Sequence, residues 1–218
     1  MNNRNDKNPF NICIWKDISE CTDCKIKGKL QCHYEMKYTI WFIIPFLTAF
    51  VPIIIGYFIG LFFGNLNLFL FLIGLIGQII YAIFFFLVWE PRILCRHCPY
   101  YAEGNTTLHC YANYGFKKPV SFDPNPMNKS EKIQFILAIA IFVSFSIPFL
   151  ITGLIGLQYI LLVIAIIGII SWLFVLFFKI CPKCVNFSCP LNRVPKEMVH
   201  EFLNRNEIMK KAWENQGN

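Results

Sequence analysis

Two long stretches of this chain lack any charged or histidine side chain, one from Tyr38 through Trp89 and the other from Ile133 through Phe178. A soluble helix has to turn one face to water, so it cannot stay uncharged all round for this long. Each stretch exceeds twice the roughly 20 apolar residues that cross a bilayer, which leaves room for two spans and a turn. Gly64-Asn65-Leu66-Asn67 interrupts the first near its middle, and Thr152 to Gln158, with Gly153 and Gly156, interrupts the second. The pattern predicts helices at 38–63, 67–89, 133–152 and 157–179. Backbone amides must find partners within a span, and no alternation suggests a barrel, so the spans are expected to be helical.

The expected architecture is therefore an all-α integral membrane protein whose four transmembrane helices form two hairpins, with three small Cys-rich modules outside the apolar runs. Its segments are an N-terminal Cys module (1–37), hairpin 1 (38–89), a Cys/His loop module (90–132), hairpin 2 (133–179), and a Cys module with an amphipathic C-terminal helix (180–218).

Charge sets the orientation. All 20 Lys and Arg and all 13 Asp and Glu lie in the three segments outside the runs, and the hairpin turns carry none. The positive-inside rule then predicts a multi-pass protein of the cell membrane with both termini cytoplasmic. The opening Met1 to Phe10 is polar and does not read as a cleaved signal peptide. Lys37, Lys132 and Lys179 at the helix ends account for part of the net charge of +7 as topology and headgroup contacts, so no nucleic-acid partner is expected. The spans carry no carboxylate, His or Lys of the kind that marks an ion or proton path. Gln78, their strongest deep polar group, is expected to bond between helices. Gly56-x3-Gly60-x3-Gly64 and Gly74-x2-Gly77 predict close helix contacts.

The chemistry lies in the cysteines. All ten fall outside the apolar runs, in a repeating close pair plus single cysteine: Cys21, Cys24 and Cys32 with Cys13 upstream; Cys95, Cys98 and Cys110; Cys181, Cys184 and Cys189. Leu30-Gln31-Cys32-His33-Tyr34 and Leu108-His109-Cys110-Tyr111 share a local phrase, as an internal repeat would. Two thiolates two residues apart can face one ion, and a tetrahedral ion needs four ligands. In the reducing cytosol such a set points to metal or redox chemistry; on the other side of the membrane, disulfides would lead. Cys13, Cys21, Cys24 and Cys32 make one four-thiolate set. The second module needs a fourth donor, for which His109 or His97 is near in sequence, and the third has His200 downstream. Ten Cys with His109 and His200 would fill three sites of four.

Zinc suits such sites. Iron–sulfur clusters also take four thiolates, often with Pro after a ligand, as in Cys98-Pro99, Cys181-Pro182 and Cys189-Pro190. Metal-free thiol–disulfide exchange is the third option, resting on Cys95/Cys98 and Cys181/Cys184 with their neighbouring cations. No phosphate-binding glycine loop, nucleophile elbow or HExxH helix occurs. Past Cys189, Met198, Val199, Phe202 and Leu203 share one helical face and Asn206 is placed to cap a second helix, a tail expected to pack on the Cys modules. A membrane or soluble protein partner could dock on these modules.

The phrases Cys95-Arg96-His97-Cys98-Pro99-Tyr100-Tyr101 and Cys189-Pro190-Leu191-Asn192-Arg193-Val194-Pro195 resemble an uncharacterised family of polytopic membrane proteins with cytosolic Cys motifs. The resemblance spans most of the chain from Cys95 onward and implies no activity.

Overall fold

The computed structural model describes residues 7–110, 113–155 and 158–216. Tyr111 of the repeated phrase, Gly156 and Leu157 of the second predicted turn, and the polar opening 1–6 lie outside the described residues. Four helices are long and apolar enough to cross a membrane: α1 (Met36–Phe62), α2 (Leu68–His97), α3 (Lys129–Ile151) and α4 (Tyr159–Lys183). Two short amphipathic helices follow, α5 (Lys196–Asn204) and α6 (Glu207–Gln216). No strand occurs among the described residues; an isolated bridge pairs Thr107 with Lys117. Little of each span is buried, 28% for the first three and 17% for α4, so most of their Ile, Leu and Phe side chains face outward. In water such a surface would be a severe liability, and a bilayer covers it.

The boundaries differ from the sequence expectation where polar residues belong to helices after all. Helix α3 begins at Lys129, because Asn128 and Glu131 form a reciprocal capping box that adds a turn ahead of the apolar run. Helix α2 continues through Glu90, Pro91 and Arg92 into the Cys95 pair, and α4 continues into the Cys181 pair. Charge ends the apolar stretch but not the hydrogen-bond ladder. Each of these helices widens into a π turn shortly before its Cys pair, at Phe85–Trp89 and Leu176–Ile180. Such single-turn distortions are a common way to re-aim side chains near a site. The first turn falls as expected, with Gly64 at φ +74° and the Asn67 side chain capping α2 through Leu70 N at 2.8 Å.

Inside the bundle, glycines mostly seat aromatic rings. A Cβ on Gly56 would sit 2.0 Å from the Phe149 ring of α3, and one on Gly74 would sit 2.3 Å from the Tyr57 hydroxyl of α1. Among the described glycines, the closest backbone approach falls elsewhere, where Gly168 of α4 meets the Thr48–Ala49 backbone of α1. Gln78 bonds across to Ser146 Oγ at 3.4 Å, the interhelical role expected of it. Helix α3 breaks at Phe145–Ser146, just before Pro148, and the Tyr57 hydroxyl donates to the Phe145 carbonyl at 2.5 Å.

The three Cys-bearing segments and the tail join in one apolar core that includes Ile12, Leu30, Tyr100, Leu108, Val185 and Phe202. Main-chain bonds stitch it together. Gln31 N donates to Lys183 O at 2.8 Å, and the Tyr100 hydroxyl donates to Gln31 O at 2.8 Å. Phe202 and Met209 are almost fully buried here, so the tail packs on the Cys segments.

Candidate metal centre

The first thiol set is the one that spacing alone nominates. Cys13 opens a short 3₁₀ turn, Cys21 closes another, Cys24 follows in a tight reversal and Cys32 returns after Gly28, whose φ of +72° reverses the chain. All four line one cavity of about 190 Å³, together with Arg205. Burial pushes the Cys13 thiol up, and it pushes Cys32 up to about 12, with the neighbouring cysteines adding to both. His33 Nε2 stands 3.9 Å from Cys21 Sγ, a neighbour the spacing argument did not nominate.

The second and third modules do not stay apart. Cys95 and Cys98 at the end of α2, Cys110 from the loop, and Cys184 and Cys189 after α4 line a single cavity of about 110 Å³ with Glu90. Cys98 lies within electrostatic reach of Cys184, Cys110 and Cys189, and Cys189 within reach of Cys184 and Cys181. Burial pushes Cys98 well up, and pushes Cys189 up to about 12. Cys181 precedes Cys184 in a 3₁₀ turn but does not line the cavity.

Hydrogen bonds to sulfur recur around both sets. The Asn206 side-chain amide donates to Cys13 Sγ at 3.3 Å, while Cys13 N donates back to Asn206 Oδ1 at 2.7 Å. Asn206 stands just ahead of α6, its carbonyl accepting from Lys210 N at 2.9 Å, while its side chain serves the thiol. In the pooled set, Asn113 N donates to Cys110 Sγ at 3.3 Å, and the Asn113 amide reaches Cys95 Sγ at 3.6 Å and Glu90 Oε2 at 3.1 Å. The Tyr100 and Leu191 amides donate to Cys98 and Cys189. A neutral thiol is a weak acceptor, so several N–H groups aimed at sulfur suit thiolates. Glu90 is 9% exposed, and no cation pairs with it among the described residues. A buried carboxylate amid thiols is the kind of environment a cation relieves.

The two nominated histidines lie elsewhere. His109 Nδ1 is 2.5 Å from Glu103, and its ring packs edge-on to Tyr114. His200 lines a separate groove with Val199, Leu203 and Trp213. His97, the other candidate fourth donor, is buried with Nδ1 donating to Asn125 O at 2.6 Å and Nε2 3.4 Å from Glu131. No His lines the pooled cavity. Among the described residues, no group of three or more His, Cys, Asp or Glu stands ready to hold an ion as the side chains lie. No disulfide joins the ten cysteines.

Tyr100 stands between the two sets, within electrostatic reach of Cys32 on one side and of Cys98, Cys110 and Cys184 on the other. Comparison of the chain with protein-family models, with curated proteins and with solved structures returned no match.

Proposed function

We propose that this is a membrane-anchored metal–thiolate protein whose helices carry two cysteine centres on the cytosolic face of the cell membrane. One centre is Cys13, Cys21, Cys24 and Cys32. The other pools Cys95, Cys98, Cys110, Cys184 and Cys189, with Cys181 alongside. The observation that carries the reading is the set of N–H donors aimed at Cys13, Cys95, Cys98, Cys110 and Cys189, around cavities the thiols line together. Binding would draw the thiols inward by side-chain rotation.

Zinc is the first choice, because it accepts all-thiolate sites and holds irregular loops in shape. Exchange chemistry is the poorer fit. It needs thiols biased toward thiolate, whereas burial here favours the protonated form, and a bound cation is what would reverse that. Sidedness rests on the segregation of every charged residue into the segments outside the runs.

Elemental analysis of protein purified under anaerobic conditions tests the reading. The expected result is zinc loading that falls into two separately removable centres, and metal-free protein with an intact cysteine layer would overturn it. Iron with acid-labile sulfide and a reducible paramagnetic signal would establish the second reading, electron transfer between a soluble donor and a membrane partner. That reading has its own support in Tyr100, which bridges the two thiol sets. Replacing Asn113 with Leu is expected to weaken zinc binding at the pooled centre about tenfold, since donors behind the ligands commonly contribute that much. Competition with a chromophoric chelator measures this, and unchanged affinity would remove Asn113 from the centre.

A further inference from the structure

Outside the thiol sets, a cavity of about 520 Å³ opens between the cytosolic end of α2 and the start of α3. On its α2 wall, Phe84, Val88, Arg92 and Arg96 follow one another at four-residue spacing, and Trp89 lies beside them. The wall thus changes from apolar to basic along the helix. Phe84 and Val88 are 46% and 37% exposed and belong to the outward apolar surface of the span. The α3 wall supplies Asn128, Ser130, Glu131 and Gln134.

The acidic groups near this cleft are already engaged. Glu131 accepts from Asn128 N at 2.8 Å and lies 3.4 Å from His97 Nε2. Asp123 takes Arg96 Nη2 at 3.1 Å and donates its own N–H to Arg96 O at 2.8 Å, which holds that arginine in place. Arg96 Nε is nevertheless buried with no hydrogen-bond partner. Arg92 is exposed and has no carboxylate partner among the described residues. Ser130 Oγ accepts from Gln134 Nε2 at 3.2 Å, so its hydroxyl proton remains available to donate.

We infer that this cleft binds the headgroup of an anionic phospholipid, with Arg92 and Arg96 on the phosphate and Phe84 and Val88 beside the acyl chains. A guanidinium held in place by Asp123, one turn from a second that is exposed and unpaired, suits a phosphate oxygen. Basic pockets between spans on the cytosolic side suit acidic headgroups, and an interfacial Trp marks that depth. A free phosphate would share the arginines but would gain nothing from the apolar lower wall.

Full-length protein in mild detergent, titrated with phosphatidylglycerol or with phosphatidylcholine of the same acyl chains and followed by native mass spectrometry, tests this. The wild type is expected to prefer phosphatidylglycerol, and Arg92→Gln to cut that preference about fivefold. Arg92 is exposed and makes no ion pair, so the variant should fold, which circular dichroism checks. Lys211→Gln, on the exposed face of the tail helix α6, should leave the preference unchanged. Equal binding of the two lipids, an undiminished preference in Arg92→Gln, or an equal loss in Lys211→Gln would each overturn the inference. So would displacement of the lipid by millimolar inorganic phosphate, which would identify a soluble-phosphate site.

Discussion

Replacing Cys98 with serine is expected to strip metal from the pooled centre and loosen the layer built on it, while the four transmembrane helices persist. Cys98 is the hub of that centre, coupled to Cys110 of its own module and to Cys184 and Cys189 of the next. Structural zinc contributes on the order of 10 kcal/mol or more to folding in small domains, and a lost thiolate removes much of it. Helices whose backbone bonds are internal and whose faces lie in lipid do not depend on that ion. Metal at Cys13, Cys21, Cys24 and Cys32 should remain, because a separate cavity holds those thiols. Cys32→Ser should give the opposite pattern. Acid should act like the mutations. The thiols pushed up by burial carry protons when no metal is bound, so each thiolate formed on binding releases one. Affinity is then expected to fall about tenfold per pH unit for every proton displaced, and stability supplied by metal is lost as pH falls. Metal content of both variants, with near- and far-ultraviolet circular dichroism across pH, reads the result. Equal loss of metal from both centres in Cys98→Ser would mean that the cysteines form one undivided site.

Enlarging Gly168 should damage the bundle itself. A Cβ there would lie 2.5 Å from Ala49 N and 2.6 Å from Thr48 C, and backbone has no rotamer with which to yield. Helices α1 and α4 would have to separate, and packing inside a span is the main force holding helices together. Gly168→Leu is expected to cost about 3 kcal/mol or more. Gly153→Ala is the control, since its Cβ would meet the Phe149 ring at an ordinary 3.5 Å and alanine favours the helix. Thermal unfolding in detergent compares them, and equal midpoints for Gly168→Leu and wild type would contradict the packing.

The spans were legible because a run without charge has one physical explanation over such a length. Their ends were less so. Asn128 and Glu131 are polar, so a reading built on apolar runs stops short of them, although their N-x-x-E spacing is a capping signature. The four-thiol set could be read because Cys13 to Cys32 are close in the chain. The pooling of Cys98 with Cys184 could not, since it depends on how the ends of α2 and α4 come together in space. Sequence proximity drew attention to His109, which Glu103 occupies, and to His200, which faces another groove. Asn113 and Asn206 went unnoticed as partners of sulfur for the converse reason: an asparagine carries no mark of the atom its amide will meet. The glycine spacing marked tight helix contacts, but Gly56 and Gly74 receive rings, and among the described residues it is Gly168, outside both motifs, that meets another helix's backbone.

The paired bonds between Cys13 and Asn206 join positions 193 residues apart. During synthesis the four N-terminal thiols emerge first, yet Arg205 and Asn206, which flank their basin, emerge only after the last span has been made. Contacts of such long sequence separation form late. The first centre to be translated is therefore among the last to be finished, and a fully loaded N-terminal basin would certify that all four helices had already been threaded and docked.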